Sequence, residues 1–216
     1  MSRPIISLGG KAIGERDERS YFLVVEGLDG SGKTTQGTLI GDELRNKGRE
    51  VVMTKEPTAT SAIAQKLADA LAKKIKVEPR ELQELFTRDR KDHVERLIMP
   101  ILEKGLVVIS DRYAFSTLAY GSLHHDEKWL KELNAHFPLP DLTLFFDVEP
   151  NECLQRIGHR GKPQELFEEK KKLEKIRNAY LKISKEFPLH FKVIDGNGTI
   201  EETHAKAMFE VNRLIS

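Results

Sequence analysis

One segment of the sequence, residues 27–34, has the residue types and spacing that bind phosphate. It reads Gly27-Leu28-Asp29-Gly30-Ser31-Gly32-Lys33-Thr34, which satisfies the pattern G-x-x-x-x-G-K-[ST] at every fixed position. The glycines let successive backbone N–H groups point at a phosphate, and Lys33 adds a cation for the β- and γ-phosphates. The Thr34 hydroxyl is suited to a Mg²⁺ ion. The segment therefore predicts a nucleoside-triphosphate site.

The residues on either side of this segment predict a strand before it and a helix after it. Residues 21–25 form a continuous apolar run that is typical of a buried parallel strand, and residues 34–46 have a helical pattern. Phosphate-binding loops occur in this order of strand, loop and helix. The alternative is a glycine-rich hairpin beside an ordinary lysine. The full pattern arises by chance in only about one in a hundred chains of this length, which favours the nucleotide site.

Charge and cysteine content limit the kinds of partner that we expect. The 216 residues include 35 Lys and Arg against 34 Asp and Glu, a formal net charge of +1. No basic excess indicates a nucleic-acid surface, so phosphate binding should be local. The single cysteine, Cys153, cannot form an internal disulfide, which fits a reducing cytoplasm. No apolar run approaches the length of a membrane span.

Residues 1–20 precede the first predicted strand of the domain. They lack the continuous apolar stretch of a signal peptide, and their acidic residues do not fit a transit peptide. We expect them to be a flexible or late-ordering extension of unknown role.

Apolar runs that alternate with helical patterns predict the fold of residues 21–216. After the run at 21–25, further strand-like runs lie at residues 50–53, 106–109, 142–146 and 191–194. Strands that alternate with helices form parallel sheets covered on both faces. We therefore expect one α/β domain with a five-stranded, parallel, doubly wound sheet.

Polar residues follow several of these strands, at the edge of the sheet where parallel α/β folds bind ligands. They are the glycine-rich loop, Glu56 and Asp111-Arg112-Tyr113. A buried strand has no structural need for Asp-Arg at its end. We interpret Arg112 as a fork for a second phosphate and Asp111 as a residue near the metal or one that orients Arg112. A salt-bridged strand terminus is the alternative.

The helix predicted from Pro79 carries an arginine on an apolar stripe. Phe86, Arg90 and their neighbours at three- and four-residue spacing share one face. A guanidinium there is costly unless something hydrogen-bonds to it. Phe86 could offer a flat face to a base while Arg90 contacts the base edge. Equally, Phe86 could belong to the core while Arg90 extends to water, and the spacing does not decide between these hypotheses.

Basic residues cluster beside two glycines at about residues 156–165. The cluster contains Arg156, His159, Arg160 and Lys162. A mobile basic lid of this kind would neutralise transition-state charge and exclude water. A solvated charged turn is the alternative, and it stays open here.

From Tyr21 to the C-terminus the sequence resembles the thymidylate kinase family. The resemblance is carried by residues 26–36, Glu56-Pro57, residues 85–90, residues 111–120 and residues 140–142. The segment 111–120, D-R-Y-A-F-S-T-L-A-Y, is the most specific of these. The resemblance implies a P-loop nucleoside-monophosphate-kinase fold with a lid and a cytoplasmic homodimer. It also implies Mg²⁺-dependent transfer of the ATP γ-phosphoryl group to dTMP.

The resemblance also implies which residues contact the thymidine part of dTMP. Phe86 would stack on the thymine and Arg90 would contact its edge. Ser116 or Thr117 would touch the base, and Tyr120 would crowd the 2′ position against ribonucleotides.

A second group of residues is implied at the phosphates. Arg112 would bind the dTMP phosphate, and Asp29 would lie near the sugar 3′-hydroxyl. Glu56 is a further substrate-site residue. Mg²⁺, Lys33 and Arg112, together with a lid arginine, would carry the rate by positioning and charge neutralisation.

The lid arginine follows from a glycine in the phosphate loop. One branch of the family has a basic residue at the position of Gly30, and it then needs no lid arginine. The glycine here implies the branch with a catalytic arginine in the lid. We assign this role to Arg160 and place Arg156 at ATP.

Two other functions compete with this interpretation. One is a kinase for another deoxynucleotide or for a deoxynucleoside, and a nucleoside kinase would need a carboxylate base, for which only Glu56 is available. The other is a nucleotide-binding regulator without activity. Lys33, Arg112 and the lid arginines favour the enzyme.

Overall fold

The structure, a computed structural model, describes residues 1–159 and 170–215. The strands in this part of the chain are β1 (Ser2–Ile6), β2 (Ala12–Asp17), β3 (Tyr21–Gly27), β4 (Val51–Lys55), β5 (Val107–Asp111), β6 (Leu142–Asp147) and β7 (Phe191–Asp195). The helices are α1 (Lys33–Asn46), α2 (Ala62–Leu71), α3 (Pro79–His93), α4 (Met99–Glu103), α5 (Ala114–Gly121), α6 (Glu127–Asn134), α7 (Pro150–His159), α8 (Lys170–Glu186) and α9 (Ile200–Ile215).

The central sheet has five parallel strands in the order β4-β5-β3-β6-β7. The prediction of a five-stranded, parallel, doubly wound sheet is confirmed. The apolar run of β3 is buried on both faces, as parallel strands require. Leu23 and Val25 pack towards α1 and α9, whereas Phe22 and Val24 pack towards the helices of the opposite face. Because β4, β5 and β3 are parallel neighbours, their carboxyl ends lie side by side at one edge of the sheet.

A long helical run crosses the face that Phe22 and Val24 contact. It begins at Pro79, where the missing N–H costs nothing, and α3 is joined to α4 by a π-helical segment, Val94–Ile98. Pro100 cannot donate the N–H that a regular α-helix would use at that point, and the π segment lies directly before it. One side of α3 therefore lies at the carboxyl ends of the strands.

Residues 1–20 contain an antiparallel β1–β2 hairpin packed on the domain, so of the two expectations, a flexible or a late-ordering extension, the structure differs from the flexible one. The carboxylate of Asp141, just before β6, holds the hairpin. Arg16 donates to its Oδ1, the Arg3 guanidinium lies 3.4 Å from the same oxygen, and the backbone N–H of Phe22 donates to Oδ2 at 2.8 Å. Ile5 adds a buried apolar contact. The hairpin is ordered by a partner more than a hundred residues away, which local sequence could not reveal.

Two further expectations from the sequence concern a membrane span and the lid. None of the helices in the described part of the chain is long and apolar enough to cross a membrane. Helix α7 includes Arg156 and ends at His159. Arg160 and most of the predicted lid lie outside the described residues.

Candidate active site

The loop between β3 and α1 contains two glycines in a backbone conformation that side chains disfavour. Gly30 and Gly32 have φ of 90° and 87°, in the left-handed region that favours glycine. A Cβ on Gly30 would lie 2.4 Å from the backbone oxygen of Cys153. A side chain at position 30 would therefore clash with the backbone of α7.

Helix α1 begins at Lys33 with no side chain capping its N-terminus. The first N–H groups of a helix lack intrahelical partners and carry a partial positive charge, which suits an anion. Lys33 is itself 8% exposed, and burial lowers the pKa of its ammonium group, with nearby Arg112 adding to this effect. A phosphate placed here would gain both the backbone donors and the lysine.

Asp29 connects this loop with the arginine that follows β5. Its Oδ1 accepts from Arg112 Nη2 at 2.5 Å and from Lys33 Nζ at 3.3 Å. Burial alone would raise the pKa of Asp29, but Arg112 and Lys33 outweigh it and hold that pKa well below its usual range. The carboxylate is thus ionised between two cations, and the excess positive charge fits a phosphorylated ligand.

Arg112 has a backbone conformation that only its surroundings can maintain. Its φ of 74° is in the left-handed region, which costs a non-glycine residue on the order of 1–3 kcal/mol. Its N–H donates to the Val25 carbonyl at 3.0 Å, and its own carbonyl accepts from Ser110 Oγ at 2.7 Å. The turn aims the guanidinium at Asp29 and Tyr120, whose hydroxyl accepts at 3.1 Å.

Glu26, a residue that sequence reasoning left without a role, fixes the segment after Arg112. Its buried carboxylate accepts from the backbone N–H groups of Tyr113 and Ser116 at 3.0 and 3.2 Å, and from the hydroxyls of Ser116 and Tyr180 at 2.7 and 2.8 Å. Burial raises the pKa of Glu26, with Arg112 opposing it. An acidic residue at the end of an apolar strand was the available signal.

Thr34 and Asp111 lie together, as a magnesium site would require. The Thr34 hydroxyl donates to Asp111 Oδ2, and Asp111 Oδ1 is buried without a hydrogen-bond partner among the described residues. No cluster of three His, Cys, Asp or Glu residues is found in that part of the chain. Mg²⁺ at phosphates commonly takes only one or two carboxylates and completes its shell with water and phosphate oxygens. The unpaired oxygen and the hydroxyl therefore fit the ion.

Arg90 is buried and paired within the protein, so the alternative in which it extends to water is wrong. Its side chain is 1% exposed. The Nε and Nη2 atoms lie 2.8 and 2.7 Å from Glu56 Oε2. Nη1 donates to Thr117 Oγ1 at 3.0 Å and to Asn134 Oδ1 at 2.5 Å. These partners compensate the charge and hold the guanidinium in a fixed plane.

The other oxygen of Glu56 is also occupied. Its Oε1 lies 3.0 Å from His93 Nδ1, and His93 Nε2 lies 2.7 Å from the hydroxyl of Thr54. Sequence reasoning missed His93, whose one-turn spacing from Arg90 was the available signal. With both oxygens engaged, Glu56 positions Arg90 and is not placed as a general base. This removes the one carboxylate that a nucleoside kinase could have used.

A cavity of about 120 Å³ is lined by residues of the phosphate loop, α3 and α5. All eight residues predicted for the substrate line it, from Asp29 and Arg112 at one end to Phe86 and Arg90 on α3. Gln83 and Tyr113 also line it, and sequence reasoning assigned no role to either.

A larger cavity of about 560 Å³ lies on the other side of the phosphate loop. The loop residues 30–32 line it together with Arg156, where the sequence analysis placed ATP, and with the segment that precedes α9. Arg156 Nε donates to Glu152 Oε1 at 2.9 Å. The two cavities meet at the loop, which gives a site for a triphosphate beside a site for a smaller phosphorylated ligand.

Comparison with known proteins indicates the family to which the chain belongs. The family model for thymidylate kinase matches residues 25–207. The probable thymidylate kinase of Pyrococcus horikoshii is 38% identical over 87% of this chain and 93% of its own length. That of Methanosarcina barkeri is 33% identical over 92% and 98%.

Solved structures give the same result for the fold. The thymidylate kinase of Candida albicans superposes with a TM-score of 0.77 at 24% identity, over 92% of this chain and 94% of that one. The thymidylate kinase of Ehrlichia chaffeensis has a TM-score of 0.70 at 27% identity, over 89% and 98%. This chain therefore belongs to the thymidylate kinase family, the enzymes that transfer the γ-phosphoryl group of ATP to dTMP.

Proposed function

We propose that this chain phosphorylates dTMP with the donor and acceptor phosphates on opposite sides of Asp29. The observation that carries the proposal is the shared contact of Lys33 and Arg112 with one oxygen of Asp29. Lys33 belongs to the phosphate loop, and Arg112 lines the cavity that contains Phe86 and Arg90. A γ-phosphate at Lys33 and an acceptor phosphate at Arg112 would be neighbours, and Asp29 would then be free to approach the sugar 3′-hydroxyl.

The chemistry requires positioning and charge neutralisation more than proton removal. The acceptor is a phosphate oxygen that is already anionic, and the engagement of both Glu56 oxygens agrees with the absence of a base. Lys33 and Arg112 would neutralise charge that spreads over the transferring group. Thr34 and Asp111 would hold Mg²⁺, which supplies further charge neutralisation between the β- and γ-phosphates when bound.

We assign the base to the α3 side of the cavity. Phe86 would stack on the thymine, and Tyr120 would exclude a 2′-hydroxyl. Arg90 has five N–H donors, four of which face Glu56, Thr117 and Asn134. The remaining N–H on Nη2 is available to the base edge.

The experiment that tests this function is ADP release with ATP and Mg²⁺ in the presence of separate acceptors. We expect turnover with dTMP to exceed that with dCMP, dGMP and thymidine. Thymidine tests the nucleoside-kinase alternative, and failure with every acceptor would support a regulator without activity. The same assay with and without a chelator measures the requirement for Mg²⁺.

The lid gives a prediction of its own. Because the loop has no room for a basic side chain at Gly30, we propose that Arg160 supplies transition-state charge. Arg160→Ala should lower kcat at least a hundredfold while changing the KM for dTMP little, since the charge acts mainly in the transition state. Arg156→Ala is the matched variant, and we expect it to raise the KM for ATP. If neither variant changed steady-state kinetics, the basic cluster would be a solvated turn.

We further propose a cytoplasmic homodimer. The proposal is supported by the family resemblance and by the single, buried cysteine. Light scattering of the purified chain would measure its mass, and a mass of one 24.6 kDa chain would contradict the dimer.

A further inference from the structure

Gln83 lies on the same face of α3 as the residues assigned to the base. It precedes Phe86 by three residues and Arg90 by seven, which are the spacings of a single helical stripe. Its side chain lines the cavity of about 120 Å³ together with both of them. Only 4% of the residue is exposed. A polar group is therefore buried at the base end of the cavity.

The amide oxygen of this glutamine has no protein partner. Oε1 is buried and accepts no hydrogen bond from residues 1–159 or 170–215. A buried acceptor left unpaired costs about 1–3 kcal/mol, so such groups commonly mark a site where a ligand completes the bonding. The amide faces a cavity, and a ligand in that cavity could supply the missing donor.

Helix α5 fixes the position of this amide relative to Arg90. A Cβ on Gly121 would lie 3.3 Å from Gln83 Cδ, so the amide packs directly on that glycine. Arg90 donates to Thr117, one turn earlier on α5. Thr117 and Gly121 are about 6 Å apart along α5, so Arg90 and Gln83 contact neighbouring turns of that helix.

We propose that Gln83 accepts a hydrogen bond from the imide N3–H of the thymine and is a specificity-determining residue of this enzyme. Thymine presents the O4 acceptor beside the N3–H donor, which matches the free N–H of Arg90 beside the Gln83 oxygen. Cytosine has an amino group and an unprotonated N3 at these positions. The N–H of Arg90 would then face another donor, and the Gln83 oxygen would face another acceptor. The inference rests on the proposed function and adds the residue that reads the imide.

The test combines a change in the protein with a change in the ligand. Wild-type enzyme and Gln83→Leu are each assayed with dTMP and with its N3-methyl derivative, which lacks the imide hydrogen. We expect wild type to favour dTMP strongly, and Gln83→Leu to raise the KM for dTMP on the order of tenfold while narrowing the preference between the two ligands. The KM for ATP should stay unchanged.

A thermal-unfolding measurement without ligand separates recognition from stability. Because the amide oxygen has no protein partner, Gln83→Leu should leave Tm unchanged or raise it. Gln65→Leu, the same substitution at an exposed position on α2 outside this cavity, should preserve the ligand preference.

Three results would overturn the inference. If Gln83→Leu kept the full preference against N3-methyl-dTMP, another acceptor would read the imide, such as the Tyr113 hydroxyl, which also has no partner in the described part of the chain. If Tm fell strongly, Gln83 would be structural. If wild type phosphorylated no dTMP at all, the proposed function itself would fail.

Discussion

Lys33→Ala should lower kcat about a hundred- to a thousandfold at saturating ATP. In our proposal Lys33 is the loop side chain that contacts the transferring phosphate, and loss of one preorganised charge-stabilising donor has an effect of this order. The fold should survive. The Lys33 ammonium is buried at a cost to its charged form, and Asp29 keeps its ion pair with Arg112 when the lysine is removed.

The matched control is Lys47→Ala. Lys47 follows the same helix at its other end and forms an exposed ion pair with Glu43. Exposed pairs contribute little to stability, and Lys47 lies at the opposite end of α1 from the phosphate loop. Steady-state ADP release and circular dichroism would be recorded for both variants. Near-normal turnover of Lys33→Ala would refute our interpretation of the loop.

Removing Arg90 should have two separable effects, on stability and on dTMP binding. Arg90→Met leaves the carboxylate of Glu56 buried without its guanidinium, and breaking a buried ion pair in this way costs about 3–5 kcal/mol. For a domain of this size the Tm should fall on the order of 10 °C. The N–H that we propose for the base edge is lost as well, so the KM for dTMP should rise strongly while the KM for ATP changes little.

A double variant distinguishes the two roles. Arg90→Met combined with Glu56→Leu removes both charges, and replacing a buried pair by apolar residues is often neutral. We therefore expect the Tm to recover towards that of wild type while dTMP binding, measured by calorimetry, stays weak. If dTMP binding recovered together with Tm, Arg90 would be a purely structural residue, and the base would be read elsewhere.

Local patterns were sufficient for the parts of the site that depend on short spacing. The phosphate loop and the buried strands have signals within about ten residues, and Pro79 begins its helix as expected. The stripe with Phe86 and Arg90 placed a guanidinium on an apolar face, but its spacing did not decide whether Arg90 faced inwards. In each case the backbone geometry follows from neighbouring residues alone.

The partners of those residues were beyond the reach of local reasoning. Arg90 donates hydrogen bonds to Asn134, which is 44 residues away, and to Glu56. The other oxygen of Glu56 contacts His93. The left-handed turn at Arg112 has no local cause such as a glycine, since the Val25 carbonyl of a neighbouring strand helps to hold it. Contacts of this kind depend on how the strands are ordered in the sheet.

The attachment of the β1–β2 hairpin has a consequence for biosynthesis. Arg16 and its carboxylate partner Asp141 are separated by 125 positions, so the ribosome releases the hairpin long before the residue that anchors it. Until then the hairpin can contact α4 but lacks the carboxylate that binds both of its arginines, and isolated hairpins are at best marginally stable in water. Its native docking must therefore wait until the chain has emerged beyond Asp141. The hairpin is thus unable to complete its tertiary contacts while the residues up to Asp141 are being translated.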